Sequence, residues 1–424
     1  MQCFLKRASA VALSAFPAVA QQGGEPNAPQ QPQQEVTPQE LARRIEELER
    51  KQKAELLDLQ DQIDSLEEEL EKARKAATPQ QAGVNAFNPQ ITVFGNFLAR
   101  ADDQPVFLEG DPTGDAIDDT LSLREAEIDF RAAIDPWADG VLILSSEAEV
   151  PGEFDTGVEE GYFVLKKLPL LDSAPGGLKL KIGRFRPAFG TFNKIHLHDL
   201  PSTHYPNSFA TFLGDEGYIQ DGISGQFFLP SPSASSTLEG TLELLGGGDL
   251  PLAEDARASE LAGLAHVGWF NELTDAHSLN LGASGWTEGS DRSLLGLDAT
   301  WKWKPPQAGE WNSFLLGGEV FASNVDDGSS DDATGFFGWA QYQLDRNTYV
   351  GVRYDQAEEL EDSSLVTQTY STYLTYYTTE FLRFRIGLEH ADSDVELEDD
   401  RNSAFLEMNF VFGSHPTEPY WVNR

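Results

Sequence analysis

The chain has 424 residues, 40% hydrophobic and 11% aromatic, with 37 Gly, 23 Pro and a formal net charge of -40. That acidity excludes a protein that grips a phosphate backbone, so no nucleic-acid partner is expected. Beyond the first 20 residues no apolar stretch reaches the ~18 to 20 residues of a transmembrane helix, and any membrane crossing has to be made by a closed barrel.

Residues 1–20 place Lys6 and Arg7 before an apolar run ending in Ala18-Val19-Ala20, the pattern of a secretory signal peptide with the mature chain starting at Gln21. The single cysteine, Cys3, lies inside that segment, so no disulfide and no thiolate metal site is expected in the exported protein. Residues 21–40 are rich in Gln and Pro and read as a disordered spacer. In 41–77, Leu41, Ile45, Leu48, Leu56, Leu59, Ile63, Leu66, Leu70 and Ala73 recur at heptad steps with one stutter, which predicts an α-helical coiled coil. Pro79 ends that helix, and 78–90 form a linker.

From Ile91 to Phe412 the helical period gives way to about 16 short segments of alternating polarity bounded by Gly, Pro, Asn and Asp. Several separate their faces cleanly. Leu295, Leu297, Ala299, Trp301 and Trp303 alternate with Asp298, Thr300, Lys302 and Lys304, and Leu382, Phe384, Ile386 and Leu388 alternate with Arg383, Arg385 and Glu389. Every second link is short and turn-like, such as 135–140, 230–235, 305–309 and 344–347. The others are mostly longer and acidic, as at 102–120, 326–332, 358–362 and 392–400. That rhythm predicts an all-β transmembrane antiparallel barrel over 91–412, with tight turns on one rim, large loops on the other and the tryptophans in an interfacial girdle. Alternation by itself also suits a soluble barrel with its faces reversed. Residues 413–424 form an expected C-terminal periplasmic extension.

A barrel this wide cannot be filled by side chains, so charged inner faces should line water. Expected pore-lining residues are Glu125, Glu127, Asp129, Glu147 and Glu149 on an acidic wall, and Lys179, Lys181, Lys302, Lys304, Arg353, Arg383 and Arg385 on a basic wall. Together they would set a transverse field across the lumen. In the longest link, His196, His198 and His204 lie close together with Asp199 and Asp215 nearby. His-x-His allows a metal site or a pH-gated constriction, and also plain solvated histidines; no metal and no cofactor is assigned. The chain shows no nucleophile motif, P-loop or zinc helix, and no enzyme is expected.

The stretch Leu178-Lys179-Leu180-Lys181-Ile182-Gly183-Arg184-Phe185-Arg186-Pro187-Ala188-Phe189-Gly190, followed by Asp221-Gly222-Ile223-Ser224-Gly225, resembles the phosphate-selective porin O and P family. The resemblance implies an outer-membrane homotrimer whose third loop, here 186–217, folds into the lumen. One departure is charge: only 20 Lys and Arg follow Ile91, far fewer than the acids, whereas anion-binding members line their constriction with basic residues. The expected function is a water-filled channel for passive diffusion of small hydrophilic solutes or ions, with the N-terminal region in the periplasm. The alternative is a structural anchor that links outer-membrane lipid to the cell wall through the coiled coil.

Overall fold

The computed structural model describes Arg43 and residues 89–413, without 108–115, 118, 149–151, 168–174, 249, 254–260, 290, 310, 327–331 and 396–399. The expectations for 1–20, 21–40, 41–77 apart from Arg43, 78–88 and 414–424 lie outside the described residues, as does Glu149.

Alternating sequence becomes strand wherever the pattern predicts it. The elements are β1 (Gln90–Asp102), β2 (Val106–Phe107), β3 (Ala116–Ile117), β4 (Thr120–Asp135), β5 (Ala138–Glu147), β6 (Asp155–Leu165), β7 (Lys179–Phe185), β8 (Gln220–Leu229) and β9 (Ser236–Gly246). They continue with β10 (Leu261–Thr274), β11 (His277–Glu288), β12 (Arg292–Trp303), β13 (Phe314–Val325), β14 (Thr334–Gln343), β15 (Thr348–Glu358), β16 (Val366–Thr379), β17 (Leu382–Ser393) and β18 (Arg401–Gly413). One helix, α1 (Asn207–Leu213), lies in the link between β7 and β8. β2 and β3 pair only with each other, in the link between β1 and β4. The other sixteen strands form one closed antiparallel sheet in chain order.

Closure is made by β18 against β1, from Thr92 opposite Gly413 to Asp102 opposite Ser403. An even count brings the start of β1 and the end of β18 to the same rim as the short turns. Two of those turns are built by aspartate. Asp135 Oδ1 accepts from the Trp137 and Ala138 amides at 2.7 and 2.9 Å, and Asp345 Oδ1 accepts from Asn347 and Thr348 at 2.8 and 3.0 Å. Each side chain thereby satisfies the amides that reverse the chain. The link rhythm departs from expectation at 166–178, which is long on the short rim, and at 289–291, which is short on the loop rim.

The two faces of the wall differ as alternation requires. Leu297 is 63% exposed, whereas its neighbour Asp298 is 6% exposed and points inward. Leu242, Leu244, Leu295, Val352, Ile386, Leu388 and Leu406 are likewise outward and exposed, which makes the apolar belt that a bilayer demands of a barrel. Trp301 stacks on His277 and meets Phe314 edge-on near the turn rim, within the expected aromatic girdle.

The inner face holds a correction. Leu264, Trp286, Leu294, Leu315, Phe321, Phe337 and Trp339 point into the barrel, so β10–β14 present a greasy wall where ionised side chains were expected. The link 186–219 covers that wall with Phe189, Phe192, Phe209 and Phe212. Phe212 stacks on Phe321 at 5.5 Å and Phe192 leans on Phe337 at 4.7 Å. Each buried Phe contributes about 1.5–3 kcal/mol relative to an exposed one, enough together to fix a long loop inside the lumen. The core of this protein is thus within the barrel, between loop and wall.

Candidate channel constriction

The link between β7 and β8 starts from Arg186, whose buried guanidinium donates to Glu159 Oε1 at 2.5 Å and to the Glu216 carbonyl at 2.7 Å. Asn193 closes the loop on itself, donating to the Pro187 and Tyr218 carbonyls at 2.9 and 3.0 Å while its own Oδ1 accepts from the Tyr218 amide at 2.7 Å. The loop is therefore tied to itself as well as to the wall.

Carboxylates from several strands receive its backbone. Glu319 Oε1 on β13 accepts from the Thr191 and Phe192 amides, both at 2.7 Å. Glu243 on β9 accepts from Ala188 at 3.0 Å, Asp298 on β12 from the Thr191 hydroxyl at 2.9 Å, and Asp355 on β15 from the Asn207 amide at 3.0 Å. Gly190 adopts φ +60°, and a Cβ there would fall 2.3 Å from Glu319 Oε2. Glycine is what lets the chain turn past that carboxylate. Sequence reasoning missed these four acids as loop anchors, because inward-facing Asp and Glu look alike whether they meet water or a buried amide.

Arg353, Arg383 and Arg385 lie on the inner side of the wall, where they are buried and paired. Arg383 and Arg385 share Glu407, at 2.5 and 2.7 Å, and Arg385 also donates to the Leu200 carbonyl at 2.6 Å and to the Ser202 carbonyl. Arg353 binds Asp355 at 3.0 Å and Glu389 at 2.9 Å, and donates to the His204 carbonyl at 2.8 Å. Guanidinium suits this work because its planar fork serves a carboxylate and a carbonyl together. Glu407 accepts a further bond from Asn96 at 2.9 Å across the closing seam. Arg124 adds a fourth guanidinium, donating to the Thr203 carbonyl at 2.7 Å.

On the neighbouring flank the polarity is reversed. Glu125, Glu127, Glu159 and Glu160 point inward, buried, and the loop brings His196 and His198 to them. His198 Nδ1 lies 3.2 Å from Glu125 Oε1 and 3.5 Å from Glu127 Oε2, with the ring stacked on Phe94 at 4.3 Å. His196 Nδ1 lies 3.4 Å from Glu127 and 3.0 Å from Glu159, and its Nε2 is 3.0 Å from Glu160. Burial disfavours the imidazolium of His198, but the Glu127 and Glu125 carboxylates outweigh it and hold the ring up at about 9. His204 goes the other way: burial drives it down to about 4, and Glu389 only partly opposes the change.

Two irregularities of the sheet assemble that acidic flank. The register slips between β1 and β4 where Asn96 meets Glu125 and Phe97 meets Leu123, so the adjacent Arg124 and Glu125 both turn inward. It slips again between β5 and β6, where Ile143 meets Glu160 and Leu144 meets Val158, so Glu159 and Glu160 both face the lumen. A bulge defeats strict alternation, which is why Glu159 and Glu160 were not expected there. The doubled Glu-Glu inside a strand was the available signal.

The remaining expected residues are dispersed. Asp129 is buried and paired with Arg131 at 2.7 Å. Glu147, opposite Glu125 in the β4–β5 pair, accepts from the Ser145 hydroxyl. Lys181 sits over the Tyr162 ring at 4.8 Å, beside the acidic flank and away from the arginines, while Lys179 is exposed lower on the same strand. Lys304 lies past the end of β12 in the turn, and Lys302 lines a cavity of about 360 Å³ with Thr191, Glu239, Ser278, Asn280 and Thr300. The basic residues therefore do not form one wall. Acidic and arginine flanks are neighbours across β18 and β1, and the expected transverse field between opposing walls is corrected to two adjoining clamps on one loop.

No family model matches the chain. An uncharacterized protein of Aquifex aeolicus (strain VF5) is 25% identical over 342 residues, covering 71% of this chain and 70% of that one. Among solved structures, the anion-selective porin from Comamonas acidovorans matches with a TM-score of 0.50 at 9% identity, over 76% of this chain and 100% of its own. OprB of Pseudomonas putida, in its high-pH structure, matches at 0.50 and 11% identity, over 77% of this chain and 94% of its own. The likeness is one of fold: this is a closed sixteen-stranded barrel of the kind that bacterial outer-membrane porins have.

Proposed function

We propose that the protein is an outer-membrane porin that passes small hydrophilic solutes or ions by passive diffusion, with loop 186–219 as its constriction. The observation that carries this is the sidedness of the wall. An apolar belt faces out, and a lumen narrowed by an anchored loop keeps a cavity of about 360 Å³ lined by Thr, Ser, Asn, Glu239 and Lys302 together with Gly268 and Phe270. Sealing a barrel against lipid while leaving polar space inside is the arrangement of a diffusion channel. Pairing of Arg353, Arg383 and Arg385 with carboxylates and loop carbonyls argues against those guanidiniums as a phosphate site, so selection by size and polarity is the better reading of the porin O and P resemblance. A homotrimer and a periplasmic N-terminal region belong to the same proposal, with the coiled coil reaching toward the cell wall as an addition to the channel.

The test is conductance of the purified full chain in planar bilayers. Discrete steps are expected; folded, heat-modifiable protein that inserts and gives none would overturn the channel.

A further inference from the structure

We propose that the acidic flank of the constriction is a binding site for a divalent transition-metal cation of the Zn²⁺ class, ligated by His198, Glu125 and Glu127. The proposal rests on the channel reading only in that the site sits in its constriction.

Three observations point to an ion. First, ligand atoms converge. His198 Nδ1, Glu125 Oε1 and Glu127 Oε2 lie at mutual reach, with the histidine nitrogen 3.2 and 3.5 Å from the two oxygens. Metal bonds of about 2.0–2.1 Å arranged tetrahedrally place neighbouring ligand atoms about 3.3 Å apart, so the spacing already suits a shared cation. Second, the ligands are buried and incompletely satisfied. The three side chains are 2–3% exposed, yet Glu127 Oε2 and Glu125 Oε2 accept no hydrogen bond. Glu127 Oε2 has only the two imidazoles near it, at 3.4 and 3.5 Å, and a cation between it, Glu125 Oε1 and His198 Nδ1 would supply the close partner that this buried oxygen lacks. Third, a supporting shell is present. His198 Nε2 has Asp199 Oδ2 at 3.9 Å on its far side, and Phe94 fixes the ring plane. At that distance Asp199 acts on the ring through its charge and not through a hydrogen bond.

His196 repeats the pattern with Glu127 and Glu159 in front and Glu160 behind. The His198 set is the stronger one because Arg186 already neutralises Glu159 at 2.5 Å. Mixed nitrogen and oxygen donors favour Zn²⁺-class ions over Ca²⁺ or Mg²⁺, which take oxygen. Charge balances without new groups. The two carboxylates of Glu125 and Glu127 match the two charges of the ion, and His198 ligates as the neutral imidazole.

The experiment uses the full chain in detergent, stripped with EDTA and titrated with Zn²⁺ by calorimetry, with retained zinc counted after gel filtration. About one Zn²⁺ per chain is expected. His198→Gln and Glu127→Gln should each weaken binding at least about tenfold, while His204→Gln, outside the cluster, should match the parent. Heat-modifiable migration checks folding of every variant, and Glu125→Gln replaces any that fails. No zinc retained, or equal binding by all variants through the exposed acidic loops, would overturn the site. Conductance recorded on the same preparations separates the two readings, since a barrel that conducts but retains no added zinc sinks only the metal and one that holds zinc without conducting sinks only the channel.

Discussion

Two flanks of the constriction hold one loop with opposite chemistry. On the arginine flank, β15 and β17 supply guanidiniums whose partners are the carboxylates of Glu389 on β17 and Glu407 on β18 and the loop carbonyls at Leu200, Ser202 and His204. On the acidic flank, β4 and β6 supply carboxylates and the loop supplies imidazoles. Arginine stays charged at any working pH and its fork fixes direction, so the first flank is a permanent clamp. Imidazole exchanges its proton or takes a metal, so the second can change state while the first holds. The difference teaches that burying charge serves two ends here: a fixed anchor where both partners are permanent, and an adjustable one where the loop's partner is histidine.

The largest test of that contrast is Glu407, which stands between Arg383 and Arg385 with no exposure of its own side chain. Glu407→Leu leaves two buried guanidiniums short of their anion, and breaking such a network costs about 3–5 kcal/mol. The expected result is a fall in denaturant resistance of the folded barrel in detergent, together with noisier and larger conductance steps as the loop loosens. Unchanged stability would mean that the arginine flank does not hold the loop.

A smaller effect is expected at Glu319, outside both flanks, where one carboxylate oxygen receives the Thr191 and Phe192 amides. Glu319→Leu strands those buried donors at about 1–3 kcal/mol each, and Glu319→Gln, which keeps an acceptor, should recover most of the loss. Hydrogen exchange at the two amides is the readout. Equal exchange in the Leu variant would remove Glu319 from the list of anchors.

Smallest is the turn at Asp345, on the rim far from the loop. Its carboxyl is held below the usual carboxylate range by the Asn347 amide it accepts. A lowered folded value means that the stabilisation is present at neutral pH and is lost as pH falls through that value. Asp345→Ala should therefore raise exchange at the Asn347 and Thr348 amides at neutral pH, and the gap between variant and parent should close in strong acid. A gap that persists there would assign the turn to backbone geometry alone.

Strand positions, the strand count and the outward face of strands such as β12 and β17 were legible because they follow from a local rule, the two-residue period of a pleated chain. Leu295 to Trp303 could be assigned to lipid without knowing any partner. The aspartate turns were equally local. The inner face was legible only as polarity. Which acid meets water and which meets an amide depends on a loop 55 residues away in the case of Glu243 and 127 away in the case of Glu319.

Sequence by itself thus determined a sheet with a greasy side and a charged side, long enough to close, with a loop too long to be a simple turn. Tertiary structure alone decided where that loop lies and what it touches. A bulge is an accident of register between two strands, and those at Arg124 and Glu159 turn neighbouring side chains to one face where periodicity assigns them to two. Contacts such as Asn96 with Glu407, 311 residues apart, exist only because the barrel closes, so no local pattern could announce them.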